Sequence, residues 1–177
     1  MTQDTLAWKI DSITPTGNSS VRLPIIDNDH IYFQGSQGAS CIDASTGTIL
    51  WQRQFPGESF FHASNILVDD KLILNGTTDH IYALSTQTGS LLWDNPDSGS
   101  TVDNMVHYKG VVYFSSDGNG KLYAVDVDTG KELWAYDSPN ADKYPGAVFI
   151  NGVAINEELG YLYTTDNIFA MCIKLEE

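Results

Sequence analysis

The chain has 177 residues and a formal net charge of −14, from 23 acidic against 9 basic side chains. With 42% hydrophobic and 18% charged residues it has the composition of a folded globular chain rather than a disordered one. Its acidic balance, with no cluster of Lys or Arg to offset it, argues against nucleic acid as a partner.

Cys41 and Cys172 cannot build a disulfide framework, and neither stands in a CxxC or Cys/His spacing. No apolar run approaches the roughly 20 residues of a membrane span. The opening MTQDTLAWKI lacks the basic and apolar regions of a signal peptide. These features predict a soluble, cytoplasmic protein, or a periplasmic or extracellular one if an export signal has been removed.

In chain order, the first element is an isolated outer strand around Trp8, residues 5–10. Residues 11–53 form a first unit ending on CIDASTGTILW. Residues 54–95 form a second, in which NILVDD, KLILNG, HIYALS and SLLW read as four short strands separated by turn formers. The third unit, 96–136, ends on AVDVDTGKELW. The fourth, 137–177, supplies GVAI, GYLYTT and NIFAMCIKL but no outer strand of its own. Nowhere does an amphipathic helical period appear.

The units are copies of one another. Trp8, Trp51, Trp93 and Trp134 stand 43, 42 and 41 residues apart, and the last three each follow a Thr-Gly pair whose glycine is Gly47, Gly89 or Gly130. Four strands in about 40–45 residues is the spacing of a β-propeller blade. The predicted fold is therefore an all-β propeller of four-stranded antiparallel blades in a single domain. Residues 5–10 are expected to complete the C-terminal blade and remove its unpaired edge. Two closures satisfy that pairing, one chain closing a four-bladed ring or two chains exchanging the Trp8 strand in a homodimeric eight-bladed ring; the third alternative is a piece of a longer propeller.

The phrase Ala-x-Asp-x-x-x-Gly-Lys-x-x-Trp, met in full at residues 124–134 and in part at 41–51 and 83–93, resembles the tryptophan-docking motif of the pyrroloquinoline-quinone-like propeller repeats. That resemblance covers essentially the whole chain. It implies the propeller fold and leaves function open, because the family holds both quinoprotein dehydrogenases and non-catalytic scaffolds such as the outer-membrane-protein assembly lipoproteins. Those dehydrogenases usually carry a vicinal cysteine pair, a Ca²⁺ with acidic and amide ligands, and a catalytic Asp. This chain has no vicinal cysteines, and its four tryptophans are used by the repeat.

Asp126, Asp128 and Glu132 look like the start of a Ca²⁺ loop, but the aligned positions of the other repeats do not keep the carboxylates, so the stretch reads as a structural turn. The histidines His30, His62, His80 and His107 fall at different points of the repeat and do not converge. Neither HExxH, G-x-S-x-G, P-loop nor GxGxxG is present. The expectation is no catalysis, no metal and no cofactor.

What remains is a surface. The loops joining one unit's outer strand to the next unit's inner strand, at 12–20, 54–64, 94–100 and 137–146, are proline-rich and lie on one rim. Phe60, Phe61 and Tyr144 are loop aromatics of the kind enriched at interfaces, or else plugs for the ends of the core. Asn65 and Asn104 align at one repeat position, with Pro24 there in the first unit and Asn151 a fourth equivalent. The candidate contact residues are Phe60, Phe61, His62, Asn65, Asp103, Asn104 and Tyr144. The expected function is a non-catalytic scaffold binding another protein or a small polar ligand through its rim loops. The alternative is a quinone- or carbohydrate-binding module, as part of a quinoprotein-like enzyme.

Overall fold

The structure is a computed structural model and describes residues 5–11, 13 and 24–175. Among the described residues fifteen strands form four antiparallel sheets, each a meander of neighbours in sequence. Sheet one contains β1 (Ile25–Asp27), β2 (His30–Gly35), β3 (Gly38–Asp43) and β4 (Ile49–Gln54). Sheet two contains β5 (Phe60–Val68), β6 (Lys71–Gly76), β7 (Ile81–Ser85) and β8 (Leu91–Asn95). Sheet three contains β9 (Val106–Tyr108), β10 (Val111–Ser115), β11 (Leu122–Asp126) and β12 (Glu132–Tyr136). Sheet four has three strands, β13 (Ala154–Asn156), β14 (Tyr161–Thr165) and β15 (Ala170–Lys174). No helix among the described residues is long and apolar enough to cross a membrane.

Alternation along the middle strands builds the stack. In each of them successive side chains point to opposite faces, and in sheets two and three both faces are apolar because each is covered by a neighbouring sheet. Tyr32 and Cys41 of sheet one meet Leu72, Leu74 and Leu84 of sheet two. The other face of sheet two, with Ile73, Ile81 and Ala83, meets Val112, Phe114 and Val125 of sheet three. Tyr113, Leu122 and Ala124 then meet Leu162 of sheet four. Burying each such side chain contributes roughly 1.5–3 kcal/mol. The outer strands β4, β8 and β12 are less buried, with one face on solvent.

The tryptophans fasten one sheet to the next. Trp51 in β4 donates from Nε1 to the Thr86 carbonyl at 2.7 Å, and Trp93 in β8 donates to the Val127 carbonyl at 2.9 Å. Both rings lie flat on a glycine of the next sheet's outer turn. Gly89 (φ +66) is close enough to Trp51 that a Cβ there would sit 2.6 Å from the ring, and Gly130 (φ +70) receives Trp93 in the same way. Glycine is required twice over, for the positive φ and for the approach. Trp8 follows the same rule: it bonds the Ala44 carbonyl at 2.9 Å and covers Gly47.

The expected completion of the last blade is where the structure differs. Residues 5–10 dock on sheet one through Trp8 but belong to no sheet, and among the described residues sheet four has three strands and ends on β15. Among the described residues no core cluster joins sheet four to sheet one. The repeat shows which strand sheet four lacks but not where residues 5–10, at the opposite end of the chain from that sheet, settle.

Candidate interaction surface

The loops that lead into sheets two and four are each held from below by the turn of the sheet they enter. In the loop before sheet two, Glu58 is 4% exposed and turns its carboxylate inward. Oε1 accepts from the backbone N–H groups of Ser59 (2.8 Å), Thr77 (2.8 Å) and Thr78 (3.2 Å). Oε2 accepts from Thr78 Oγ1 (2.5 Å) and Tyr82 Oη (3.0 Å). Burial pushes the carboxyl upward, but the bonds from Thr78, Ser59 and Tyr82 outweigh it and hold Glu58 below its ordinary range. Tyr82 is raised in turn by its burial and by the adjacent carboxylate.

Asp166 does the same for the loop before sheet four. It accepts from Ser138 Oγ (2.5 Å) and Asn140 Nδ2 (2.9 Å) of that loop, and from the N–H groups of Ile168 (3.1 Å) and Phe169 (2.7 Å) in the β14–β15 turn. Against the upward push of burial, these bonds bring its carboxyl down to about 2. Both acids are saturated with donors, which suits a pin and not a proton carrier.

A second set of pins comes from the fifth residue of each sheet's second strand: Gln34, Asn75, Ser115 and Thr165. Gln34 Nε2 donates to Ser64 Oγ at 3.3 Å. Asn75 donates to the Gly99 carbonyl (2.9 Å) and accepts from the Thr101 N–H (2.7 Å). Ser115 Oγ donates to the Asn151 carbonyl, and the Asn151 amide donates to Thr165 Oγ1 (2.8 Å). In three of the four sheets, this position ties down the chain entering the following sheet. A polar residue recurring at one register of the four second strands is a signal visible in the sequence that the asparagine alignment overlooked.

That alignment is itself corrected by strand register. Asn65 faces Leu74 in the ladder, whereas Val106 faces Tyr113, so the partner of Phe114 at the equivalent point is Met105. Asn104 is one residue earlier and shares its position with Ser64 and Gly152. Both hairpins turn over two residues, so Asn104, one residue farther from its turn, is not the equivalent of Asn65.

The candidate contact residues fall in separate environments. Phe60 is 4% exposed and packs on Phe55 (5.4 Å between ring centres) and Tyr82 (6.0 Å), so it plugs the core. Phe61 and His62 lie in β5, but their side chains are outside the described residues, as are loop residues 14–20. Asn65 is half-buried on β5. Asn104 donates to the Val153 carbonyl (2.9 Å) and so braces the start of sheet four, while the Asp103 N–H donates to Thr101 Oγ1 (3.1 Å) within its own loop. Tyr144 is half-buried, 5.2 Å from the Phe169 ring, with Lys143 Nζ 5.0 Å above it. Phe169 (37% exposed) and Ile168 (48% exposed) extend this into an apolar patch on the rim of sheet four.

Of the residues with other possible chemistry, Asp126 spends its carboxylate on Thr129 (2.8 Å to N, 2.6 Å to Oγ1), and Asp128 pairs with Lys71 at 3.1 Å. They brace a turn and join sheets two and three. Cys41 is buried in the core, and burial raises its thiol pKa, as fits an inert packing residue. His80 Nδ1 lies 2.9 Å from Asp94 Oδ1, and His107 Nε2 accepts from the Gly110 N–H at 3.1 Å.

Radially stacked four-stranded meanders, fastened sheet to sheet by docked tryptophans, define a β-propeller protein of the quinone-type repeat class. A family profile described as "Outer membrane protein assembly factor BamB" matches residues 2–153. The chain belongs to that family. It is 27% identical over 151 residues to the outer membrane protein assembly factor BamB of Legionella pneumophila (strain Paris), covering 79% of this chain and 38% of that one. It is also 27% identical over 122 residues to a polyvinylalcohol dehydrogenase of Pseudomonas sp, covering 64% of this chain and 18% of that one. The chain therefore spans less than two fifths of the length of these relatives.

Among solved structures, the quinohemoprotein alcohol dehydrogenase of Comamonas testosteroni matches with a TM-score of 0.69 at 17% identity, over 83% of this chain and 29% of that one. The computationally designed Ika4 protein matches with a TM-score of 0.71 at 9% identity, over 96% of this chain and 99% of that one. At these identities the likeness is one of fold.

Proposed function

We propose that this chain is a non-catalytic propeller module that binds another protein, and that the contact is made by the rim patch of Tyr144, Ile168 and Phe169. The observation that carries this reading is the combination of an exposed apolar hairpin tip with a rigid base. Asp166 anchors the backbone N–H groups of both Ile168 and Phe169, so their side chains are held out to solvent. Rigid presentation lowers the ordering cost of binding. The relatives' name, outer membrane protein assembly factor, supports a protein partner and a place at the cell envelope. The net charge of −14 favours a partner segment with basic or neutral side chains.

The test is a fluorescence-anisotropy titration with a labelled peptide in which aromatic residues alternate with threonine and lysine. Saturable binding is expected, weakened at least about tenfold, or 1.4 kcal/mol, by Ile168→Ser with Phe169→Ser. No saturable binding, or binding indifferent to the double substitution, overturns the reading. A second reading, quinone binding as part of an enzyme, is favoured by the dehydrogenase among the relatives.

A further inference from the structure

Three Asn-Gly pairs lie among the described residues: Asn75–Gly76, Asn119–Gly120 and Asn151–Gly152. An asparagine followed by glycine carries its own nucleophile. The glycine N can reach the asparagine Cγ because no Cβ stands in the way, provided that its N–H is not held elsewhere and the backbone can rotate. The fold sorts the three pairs by that condition.

Asn75 is fully buried in β6, and its amide is bonded at both ends, to the Gly99 carbonyl (2.9 Å) and the Thr101 N–H (2.7 Å). The Gly76 N–H donates to the His80 carbonyl at 2.8 Å. Asn119 is exposed, but its Oδ1 accepts from the Lys121 N–H (3.2 Å) and its Nδ2 donates to Tyr123 Oη (2.6 Å). The Gly120 N–H donates to the Ser116 carbonyl at 2.9 Å. Asn151 is the exception. It is exposed, residues 151–153 belong to no strand, and among the described residues the Gly152 N–H makes no backbone hydrogen bond. Packing nevertheless fixes both members of this pair. Asn151 Nδ2 donates to Thr165 Oγ1 (2.8 Å) and Asn167 Oδ1 (3.0 Å), which a carboxylate could not do, and a Cβ on Gly152 would collide with Asn104 Oδ1.

We propose that Asn151 is a built-in site of amide loss and isoaspartate formation, the labile member of the three. The Gly152 N attacks Asn151 Cγ, the N–Cγ bond forms, the Cγ–Nδ2 bond breaks, and ammonia leaves with the proton from Gly152. Water then opens the cyclic imide. Addition at Cγ breaks the new bond and leaves aspartate at position 151. Addition at the α-carbonyl breaks the original peptide bond and leaves isoaspartate, with the chain running through Cβ and Cγ. Either product lacks Nδ2 and so releases Thr165, at the end of β14, and Asn167, in the turn to β15. Isoaspartate also turns the Asn151 carbonyl that Ser115 Oγ holds into a free carboxylate. The site is a chemical timer on the entry to sheet four, and its isoaspartyl form is a substrate for a carboxyl methyltransferase.

The test is incubation of the intact chain at mildly alkaline pH, with peptide mapping by mass spectrometry over time. The peptide holding Asn151 should convert at least about fivefold faster than those holding Asn75 and Asn119, because each of those must first break its glycine hydrogen bond. In denaturant the three rates should converge. An intact Asn151, Asn119 keeping pace with it in the folded chain, or the same spread of rates in denaturant overturns the proposal. Isoaspartate is read separately by methyl transfer from S-adenosylmethionine with an isoaspartyl methyltransferase. Asn151→Gln should remove most of the accepted label, and an undiminished label overturns the assignment.

Discussion

Replacing Gly89 with alanine tests the tryptophan dock quantitatively. Alanine at φ +66 costs about 1–2 kcal/mol in backbone strain. Its Cβ would meet Trp51 at 2.6 Å from Cε3 and 2.7 Å from Cδ2, and displacing a packed ring adds about 1–3 kcal/mol. The sum is about 2–5 kcal/mol, partly from loosening the Trp51 hydrogen bond to Thr86. Gly110→Ala is the control: its φ is +78, yet nothing lies within 4 Å of the added methyl group, so only the strain of about 1–2 kcal/mol applies. The assay is urea unfolding followed by tryptophan fluorescence at one fixed protein concentration, with slopes compared so that midpoint shifts report stability. Gly89→Ala should lower stability more than Gly110→Ala by at least about 1 kcal/mol. Equal losses would refute the claim that close approach, beyond backbone conformation, makes the glycine necessary.

Glu58→Gln keeps the shape of the side chain but loses the charge on several hydrogen bonds, and should cost about 1.5–3 kcal/mol in the same unfolding assay; an unchanged midpoint would remove the pin. Because Asp166 and Glu58 are held below their unfolded pKa values, their stabilisation is complete above the ordinary carboxylate range near pH 4 and is lost as pH falls through the folded values, for Asp166 to about 2. Asp166→Asn should thus destabilise at neutral pH and flatten the acid limb, and parallel pH curves would contradict this. Asn75→Ala leaves the Gly99 carbonyl and the Thr101 N–H without their partner and should cost about 1–3 kcal/mol by urea unfolding. Cys41, buried with a raised pKa, should react with a thiol reagent only at the rate of unfolding; rapid labelling in native buffer would contradict its place in the core.

The stacking of sheets was legible because it rests on periodicity. A tryptophan and a glycine recur at fixed spacing, and both contact the next copy of the same unit, so local sequence already encodes the tertiary contact. The turn role of Asp126 was legible for a related reason, since the aligned turns of the other repeats keep the Thr-Gly pair but not the carboxylates. The pins were not. Glu58 and Asp166 occupy non-equivalent loop positions, and only the folded chain shows their donors converging from the next sheet. The recurrent polar residue at Gln34, Asn75, Ser115 and Thr165 was present in the sequence but lay inside strands read as apolar runs. The asparagine register failed because Asn104 lies one residue farther from its two-residue turn than Asn65 does from its own, so the two are not equivalent in the ladders. Tyr144 was singled out as a loop aromatic, but its companions Ile168 and Phe169 lie in a hairpin of another strand pair, brought beside it by Asp166.

The central claim, that this propeller binds a protein and does no quinone chemistry, is met most directly by calorimetric titration of the intact chain with pyrroloquinoline quinone in the presence of Ca²⁺. The account predicts no saturable heat of binding. A tight, stoichiometric complex would contradict it and place the chain with the dehydrogenases among its relatives.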